Sequence, residues 1–590
     1  MVINKLAPSV HRQEWGLILS VVAITFLLLN SALIYMTWHI YSAWGSFETH
    51  MSIIGYAIKE AIFNQSLQGW QYYWQQISNN GWDIDFVLHV GIPTLISTVL
   101  ALFAGSLCYY PGGRDRLQHI SGPKLYGHKM AIKHAKQQLK LESSQHSKLG
   151  LMLHPGITIS RVRESGNIFV GGAQGTGKTV FITPLIEQVI IRGERAFIYD
   201  EKREFTKLFF DKNSTVLIAP WDERGQAWDI SSDAKNATQA ELIAEHLVMD
   251  SKDPLWSSGA KMILAGLIEI LNNTKKNWGW VELAKILSLN EVTMNSLLGK
   301  YYPRAARFIA ENNKTTHSFF VQLIGSLGWI YTLAQAWPRA YEGGFSMTQW
   351  TASPKTKKKV ILVQSDKRYK NLGAPIANAL IALMTSNILS QINTTDREIW
   401  LFLDELANLP RNDSLKEWMS LGRSKGCRIV AGTQSISQIQ EIYSERGADS
   451  LLNMFSVFVS MRLGAAGETA TYTAKAFGER QVERPSNSPG SNGEALINWH
   501  RERQALVTAS DLIHLPQAGA SGVEGYLMIP GWQSVYRLRW PIPKIPARAD
   551  ENCPAAWLKK VAKHAGKNKK LIEANRTPER LKRRGRHAVN

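Results

Sequence analysis

Hydrophobic residues in this chain form two long runs near its start and several short segments further on. The long runs, at 16–38 and 86–110, each exceed 20 residues and carry no Asp, Glu, Lys or Arg. A helix that rises ~1.5 Å per residue crosses a hydrocarbon core ~30 Å thick with about that many residues. Aromatic residues, which favour membrane interfaces, stand at the ends of the runs: Trp15, Tyr35, Trp38, Tyr109 and Tyr110. The pattern predicts two membrane-spanning helices.

Charges beside the two runs predict how they are oriented. The segment 39–85 has one basic residue, Lys59, and four acidic residues, whereas 111–140 has seven basic residues. Basic residues collect on the cytoplasmic side of membranes, so both termini are expected in the cytoplasm and 39–85 in an external loop. A cleaved signal peptide is disfavoured, because the first run is too long and no A-x-A-like site follows it. Residues 1–110 are therefore predicted to be a multi-pass transmembrane anchor.

The first short apolar segment, 167–170, predicts a strand that leads directly into a glycine-rich loop and a helix. The loop matches the phosphate-binding pattern GxxxxGK[ST] and consists of Gly172, Ala173, Gln174, Gly175, Thr176, Gly177, Lys178 and Thr179. Its glycines allow backbone N–H groups to surround phosphates, and the helix N-terminus adds a positive dipole. Lys178 is expected to reach the β- and γ-phosphates of ATP, and the Thr179 hydroxyl to hold Mg²⁺.

Further short apolar segments alternate with helical stretches such as 184–192 and 376–392. This alternation predicts an α/β domain with a mostly parallel sheet, whose ligand lies at the carboxyl ends of the strands. The predicted strands after the glycine-rich loop are 196–200, 215–218, 360–363, 399–403 and 428–434.

Polar residues end two of these strands. Asp404 and Glu405 follow the apolar segment 399–403, a pattern typical of a Walker B strand. Asp404 is expected to hold Mg²⁺, and Glu405 to act as general base toward the attacking water. Gln434 ends the strand 428–434, where it either senses the γ-phosphate or serves as a capping residue.

Lys178 and Asp404 are 226 positions apart, more than a compact nucleotide-binding core requires. Residues 278–341 show helical spacing and almost no strand pattern, which predicts an inserted all-α subdomain. The nucleotide-binding domain is then expected to comprise 111–277 and 342–540. The segment 321–337 is apolar but contains several polar residues, which favours a core helix over a third span. The polar segment 482–500 predicts a surface loop.

Charge adds a class of partner to this outline. The chain has 68 Lys and Arg against 48 Asp and Glu, a balance that favours nucleic acid or an anionic membrane surface. The tail 541–590 is basic, with twelve Lys or Arg against two Glu from residue 558 onward, and is expected to contact DNA or lipid headgroups. Cysteines at 108, 427 and 553 form no disulfide or metal-binding pattern, as expected in a reducing cytosol.

Together these motifs resemble those of the type IV coupling proteins of conjugation systems, the TraG/TraD family of RecA-like P-loop ATPases. The resemblance runs from the first span to about residue 535. It includes the segment 200–204, similar to the family's D-x-K-G-E, and the segment 421–435, similar to the family's motif after Walker B. Arg203 stands where glycine is usual, and the basic tail differs from the acidic extension of some relatives.

The resemblance implies a homo-oligomer, a hexameric ring, anchored in the bacterial inner membrane by two helices. Such a ring links a relaxase–DNA complex to a type IV secretion channel and uses ATP hydrolysis to drive single-stranded DNA, with relaxosome proteins and channel components as partners. It also implies that Gln434 senses phosphate and that Arg423 is an arginine finger acting on the neighbouring subunit. The alternative for Arg423 is a surface arginine at a helix end.

Other classes of protein share parts of this pattern. A substrate receptor that uses ATP as a switch, without sustained translocation, would carry the same nucleotide motifs. A chromosome-type double-stranded DNA translocase shares the RecA-like core but is expected to have more spans, a long linker and a winged-helix end. An ABC-type ATPase requires an LSGGQ-like signature before Walker B, and 380–404 contains none.

Overall fold

The structure, a computed structural model, describes residues 15–40, 44–107, 118–143, 148–251, 253–309, 314–353, 356–392, 398–489 and 495–558. The basic tail from 559, residues 1–14 and the predicted end of the second span at 108–110 lie outside the described residues. The chain divides into two compact units, one of residues 1–118 with 483–500 and one of residues 119–482 with 501–590.

Helices in the first unit include both predicted membrane spans. The helices are α1 Trp15–Ile40, α2 Phe47–Phe63, α3 Gln68–Asn79, α4 Asp83–Phe86 and α5 Ile92–Leu107, with a π-helical turn at Val87–Gly91 between α4 and α5. Helix α1 and the continuous stretch from α4 to α5 are long and apolar enough to cross a membrane, which confirms the two-helix anchor. They pack against each other, and the Thr94 hydroxyl donates to Asn30 Oδ1 at 3.2 Å.

The predicted external loop 39–85 contains a helical hairpin formed by α2 and α3. The Ser46 hydroxyl caps α2 by accepting a hydrogen bond from the Thr49 N–H at 3.3 Å. The two helices approach closely because Gly69 faces Ala57, where a β-carbon on Gly69 would lie 2.6 Å from Ala57 Cα. Small residues at a helix contact allow this approach, so the segment is ordered by packing rather than by charge.

Most of the described strands belong to the second unit. In chain order the strands are β1 Gln118–Ser121, β2 Lys124–Gly127, β3 Leu149–His154, β4 Ile157–Ser160, β5 Ile168–Gly171, β6 Arg195–Asp200, β7 Thr215–Ile218, β8 Val360–Gln364, β9 Ile399–Leu403, β10 Cys427–Thr433, β11 Val457–Ser460, β12 Glu479–Pro489, β13 Ala495–Ala505, β14 Val523–Met528 and β15 Ser534–Trp540. Ten of them form one sheet in the order β2-β15-β14-β11-β5-β10-β9-β6-β8-β7. Seven consecutive strands, from β11 to β7, are parallel.

The parallel strands are apolar along their whole length because helices cover both faces of the sheet. Strands β5 and β9 are buried at every position. The structure confirms the predicted α/β domain, and the strands predicted after the glycine-rich loop agree with β6 to β10 to within one residue at each end. Strands β14 and β15 extend the sheet in the antiparallel direction.

Most helices of the second unit lie between the strands or in one long insertion: α6 His128–Ser143, α7 Arg161–Glu164, α8 Lys178–Ile191, α9 Glu204–Phe209, α10 Ile230–Asp233, α11 Ala237–Leu247, α12 Pro254–Thr274, α13 Trp280–Leu287, α14 Glu291–Tyr301, α15 Pro303–Ala306, α16 Lys314–Leu327, α17 Ile330–Ala336, α18 Met347–Ala352, α19 Lys370–Leu389, α20 Ser414–Ser420, α21 Ile436–Tyr443, α22 Glu445–Leu452, α23 Thr469–Phe477 and α24 Ala509–Ile513. Helices α10 to α18 all lie between β7 and β8.

The inserted helices pack mainly on α12, the longest of them. Helix α12 contacts α13, α14, α15 and α16, although it precedes the predicted boundaries 278–341, which therefore cover only part of the helical stretch. The two ends of the stretch meet at its base, where the Asp229 N–H donates to Phe345 O at 2.8 Å and the Phe345 N–H to Ala227 O at 2.7 Å. The insertion thus leaves and rejoins the sheet domain at one place.

Asp233 joins the two ends of the helical insertion. It is fully buried, and its carboxylate accepts hydrogen bonds from Trp228 Nε1, the Ser346 hydroxyl and the N–H groups of Met347 and Thr348, at 2.7–2.9 Å. We expect Asp233→Ala to lower the free energy of unfolding by at least about 3 kcal/mol, because it leaves several buried donors without an acceptor. Urea unfolding of residues 111–590 measures this change.

A helix-capping aspartate four positions earlier provides the control for that prediction. Asp229 caps α10 by accepting from the Ser232 N–H at 3.2 Å, and Asp229→Ala is expected to cost only about 1 kcal/mol. Equal losses in the two variants would contradict the special importance of the Asp233 contacts.

Two further sequence predictions meet the structure in this unit. Among the described residues, three more helical stretches are long and apolar enough to span a membrane, at 254–274, 318–336 and 372–389, but 44–78% of their apolar windows is buried inside the protein. The core-helix interpretation of 321–337 agrees with this burial. The surface loop predicted at 482–500 was wrong, since β12 and β13 continue into it, because ladder hydrogen bonds of the backbone compensate for its polar composition.

Candidate functional site

The predicted nucleotide-site residues meet at the carboxyl edge of the parallel sheet. Strands β5, β10, β9 and β6 are neighbours in that order, so the residues that follow them are brought side by side. Backbone hydrogen bonds fix the start of the glycine-rich loop, since the Gly172 N–H donates to Thr433 O at 3.1 Å and the Ala173 N–H to Arg462 O at 2.9 Å. The loop therefore starts from a fixed position above the sheet.

The glycine-rich loop turns tightly between β5 and α8. Gly175 and Gly177 adopt left-handed backbone conformations, with φ of +71° and +93°. A β-carbon on Gly177 would also lie 2.5 Å from Val523 Cγ2, so this position requires glycine for both conformation and space. The Thr176 hydroxyl closes the turn by donating to Ala173 O at 2.7 Å. Gln174 is exposed beside this turn, and Thr179 is half-buried on the first turn of α8.

Lys178 begins α8 and extends back under the loop. Its ammonium donates to Gly172 O at 2.9 Å and lies 3.4 Å from Glu405 Oε2. The side chain is only 7% exposed, and this burial lowers the pKa of Lys178, while the carboxylates of Glu405 and Asp404 oppose that effect. The lysine is thus held where the loop amides converge.

Glu405 is held by the end of the neighbouring strand. Its Oε1 accepts hydrogen bonds from the Thr433 hydroxyl at 2.9 Å and from the Gln434 N–H at 3.0 Å. Its Oε2 is buried and accepts no hydrogen bond from any described residue. One carboxylate oxygen is therefore fixed, and the other faces Lys178.

Asp404 lies beside Glu405 and faces Lys202. The Lys202 ammonium, on a half-exposed side chain, is 3.9 Å from Asp404 Oδ2, while Asp404 Oδ1 is buried without a hydrogen bond from the described residues. Burial raises the pKa of the Asp404 carboxyl, and the positive charges of Lys202 and Lys178 oppose that rise.

These residues fit an Mg²⁺–nucleotide pair. Asp404 and Glu405 present two buried carboxylate oxygens without hydrogen-bond donors among the described residues, the hard oxygen ligands or water acceptors that Mg²⁺ chemistry uses. Around Gly175, no described atom lies within 4 Å of the position a β-carbon would take, so the loop has room for phosphate oxygens. Lys178 and the N-terminus of α8 supply positive charge at the same place.

Lys202 and Thr433 belong to this site although neither was among the residues predicted to act there. Lys202 reaches Asp404 because β6 and β9 are adjacent, and Thr433 holds Glu405 because β10 is the other neighbour of β9. Both residues come at or just after the end of a parallel strand, a position that marks ligand contacts in such sheets. Strand order was the missing information.

The segment after β6 is shaped by buried hydrogen bonds. Asp200 Oδ2 accepts from the Thr206 N–H at 2.6 Å and the Thr206 hydroxyl at 2.7 Å, and burial raises the pKa of Asp200 to about 6. Arg203, at the glycine position of the family motif, adopts φ +65° and forms an ion pair with Asp366. This ion pair offsets the cost of a left-handed conformation in a residue with a β-carbon.

Arg423 lies far from the other candidate residues. It sits in a short 3₁₀ turn just before β10, and its Nε donates to the Ser165 hydroxyl at 3.1 Å. Ser165 and Glu398, which line the same surface pocket, precede β5 and β9, so the pocket is at the amino edge of the sheet. The seven residues of β10 at ~3.3 Å each separate Arg423 from Gln434 by roughly 20 Å. Arg423 and the phosphate loop of one chain therefore do not form a single site.

Comparison with known proteins points to one family. The model of the type IV secretion-system coupling protein DNA-binding domain matches residues 151–541. The coupling protein TraD of Escherichia coli strain K12 is 24% identical over 411 residues, which cover 68% of this chain and 56% of TraD. The match thus spans little more than half of that relative. A probable conjugal transfer protein of Sinorhizobium fredii, named TrbE, is 30% identical over 150 residues, 25% of this chain and 21% of that protein.

Solved structures with a similar fold include those of the bacterial conjugative coupling protein TrwB. The unbound truncated form, TrwBdeltaN70, has a TM-score of 0.63 at 22% identity, covering 75% of this chain and 98% of that one. TrwB has also been solved with the non-hydrolysable ATP analogue ADPNP, at TM-score 0.61 and 21% identity, covering 76% of this chain and 100% of that one. A further TrwB structure contains ADP and Mg²⁺. At this identity the likeness establishes the RecA-like fold.

Proposed function

This chain belongs to the family of type IV secretion-system coupling proteins, and we propose that it uses ATP hydrolysis to drive DNA from a relaxase complex into a secretion channel during conjugation. One observation carries the proposal: Lys178, Asp404, Glu405 and Gln434 meet at one sheet edge with the spacing that phosphoryl transfer requires. The relative TrwB, which shares this fold, binds an ATP analogue and ADP with Mg²⁺.

The phosphate loop binds the nucleotide in this mechanism. The N–H groups of the loop from Gly172 to Thr179 surround the phosphates, and the Lys178 ammonium neutralises the β- and γ-phosphate oxygens. Thr179 and Asp404 hold Mg²⁺, which when bound withdraws charge from the β- and γ-phosphate oxygens. Ionisation of Asp404 is favoured beside such a cation, even though burial alone raises the pKa of its carboxyl.

Glu405 activates the water that attacks the γ-phosphorus. Its Oε1 remains bound to the Thr433 hydroxyl and the Gln434 N–H, so Oε2 takes the proton that leaves the water. Gln434 is attached directly to this arrangement, and its side chain reports the presence of the γ-phosphate to β10. Lys202 adds positive charge next to Asp404.

Arg423 acts on the nucleotide of a neighbouring subunit. It lies at the opposite edge of the sheet from the phosphate loop of its own chain, so a head-to-tail ring would bring it to the next site. We propose a homo-hexamer in which this guanidinium stabilises the charge of the transferred phosphoryl group. The chain's excess of basic residues agrees with a central channel for single-stranded DNA.

The anchor places this ring at the bacterial inner membrane, with both termini in the cytoplasm. Residues 1–110 form the anchor in this proposal, and 111–277 with 342–540 form the RecA-like domain. The all-α subdomain includes 278–341, and the packing of α12 favours a wider insertion. The basic tail, 541–590, provides further contact with DNA or lipid headgroups, and the relaxase, relaxosome proteins and channel components are the expected partners.

Conjugative transfer tests this function. In donor cells that lack the gene, the wild-type chain is expected to restore transfer of the mobile DNA, whereas Lys178→Ala leaves transfer at background. Lys178→Ala removes the ammonium that neutralises the phosphates, while Arg339→Ala, at an exposed position of the insertion, is the matched control and should transfer normally. Normal transfer with Lys178→Ala, at equal protein level in the membrane, would contradict the proposal.

A further inference from the structure

The hairpin of α2 and α3 carries an apolar face that neither of its helices covers. Apolar residues recur along α2 at steps of three and four, which places them on one side of the helix: Phe47, Met51, Ile54, Ile58 and Ile62. Ile58 and Ile62 are 45% and 68% exposed. The side of α2 that faces α3 is a different one, with buried His50 and Ala57.

Helix α3 and the turn before it continue this apolar surface. Trp70 and Trp74, one helical turn apart, are 39% and 54% exposed, and Phe63 and Leu67 in the turn are 76% and 67% exposed. Between residues 47 and 79 only Glu48, Lys59 and Glu60 carry a full charge. A contiguous apolar surface with so little charge marks a contact site rather than a face turned to water.

Aromatic contacts fix the hairpin next to the ends of the membrane spans. Trp38 of α1 packs against Trp44 and His50, with ring centroids 4.3 and 4.9 Å apart, and Trp74 of α3 packs against Phe86 at 5.6 Å. His50 is the centre of this cluster, with one ring nitrogen 2.7 Å from Trp44 O and the other 3.0 Å from the Tyr73 hydroxyl.

We infer that the hairpin lies on the membrane surface, with the apolar side of α2 and the rings of Trp70 and Trp74 in the lipid interface. The hairpin is continuous with both spans, and α2, with 17 residues, extends only about 25 Å from the point where α1 emerges. Trp and Tyr are the residues that favour the headgroup region, and aliphatic residues such as Ile58 and Ile62 fit the acyl boundary below it.

This placement gives the hairpin a mechanical task. Because Trp38 and Phe86 belong to the two spans and pack on the hairpin, a hairpin held in the interface fixes the depth at which both spans leave the bilayer. Fixed span ends resist sliding along the membrane normal, as interfacial aromatic anchors do in general. The proposal rests on the membrane spans alone and is independent of ATP hydrolysis.

Fluorescence of a label on α2 tests this placement. In the full-length chain with Cys108, Cys427 and Cys553 replaced by alanine, single cysteines at Ile58→Cys or Ser52→Cys are labelled with NBD. The six positions between them place the labels about 120° apart on the helix, so Ser52 is the matched control on the polar side. In liposomes, the label at position 58 is expected to emit at shorter wavelength and to be quenched by nitroxide lipids, and the label at position 52 to behave as in water.

Two results would overturn the inference. If the labels at 52 and 58 are equally water-exposed in liposomes, the hairpin stands away from the bilayer. If the label at 58 is shielded but unaffected by nitroxide lipids, a protein covers this face; a disulfide between Ile58→Cys copies would then identify a second copy of the chain, and its absence another protein. ATP hydrolysis by the cysteine-free background, equal to that of the wild type, verifies its folding.

Discussion

Glu405→Gln is expected to reduce the rate of ATP hydrolysis by about 10²–10⁴-fold while ATP still binds. Glu405 Oε1 is fixed by the Thr433 hydroxyl and the Gln434 N–H, and a glutamine oxygen accepts the same two hydrogen bonds. The amide that replaces Oε2 has no lone pair for a proton, so the attacking water loses its base. The substitution thereby separates proton transfer from the geometry of the site.

Steady-state hydrolysis and ATP binding by residues 111–590 measure this effect. Glu417→Gln, at an exposed glutamate on α20, is the matched control and should hydrolyse ATP at the wild-type rate. Lys178→Ala, by contrast, should weaken ATP binding itself, because it removes the ammonium beside the phosphates. Wild-type hydrolysis by Glu405→Gln would assign the base to another residue.

Arg423→Ala is expected to reduce hydrolysis by about 10³–10⁵-fold in the assembled ring, the usual contribution of an arginine finger. Within one chain the guanidinium contacts Ser165 at the amino edge of the sheet, so its loss leaves the phosphate loop of the same chain unchanged. ATP binding and the free energy of unfolding should therefore be preserved. Arg339→Ala, at an exposed arginine of the insertion, is the control.

Mixing two inactive variants distinguishes a finger that acts between subunits from one that acts within a chain. Arg423→Ala subunits retain Glu405, and Glu405→Gln subunits retain Arg423, so some neighbours in a mixed ring complete a site. With equal amounts of each, about a quarter of the sites would be intact, because a head-to-tail ring pairs each subunit with the next. A mixture as inactive as its components would contradict action between subunits.

The nucleotide site was predictable from sequence because its residues follow parallel strands. Lys178 and Asp404 are 226 positions apart, yet each follows an apolar segment, and parallel strands bring such residues to one edge. The contacts among them required the strand order. Only because β9 lies between β6 and β10 does Lys202 reach Asp404 and Thr433 hold Glu405.

Features that depend on distant packing were not predictable. Val523, on an antiparallel strand some 350 positions away, fills the space beside Gly177, and nothing near the loop indicates it. The helical hairpin in the predicted external loop depends on contacts such as Gly69 with Ala57, where small residues replace an obvious apolar stripe. Helical spacing located part of the insertion, but its base depends on Trp228 and Asp233, which lie before any of its long helices.

The most direct test of a DNA-driven motor is ATP hydrolysis by the full-length chain in liposomes, measured with increasing single-stranded DNA. Membrane reconstitution retains both spans and allows the ring to assemble. The mechanism predicts that hydrolysis rises with DNA, saturates, and disappears in Lys178→Ala and Glu405→Gln. Bound ATP with hydrolysis that DNA does not change would contradict it and would favour a receptor that uses ATP as a switch.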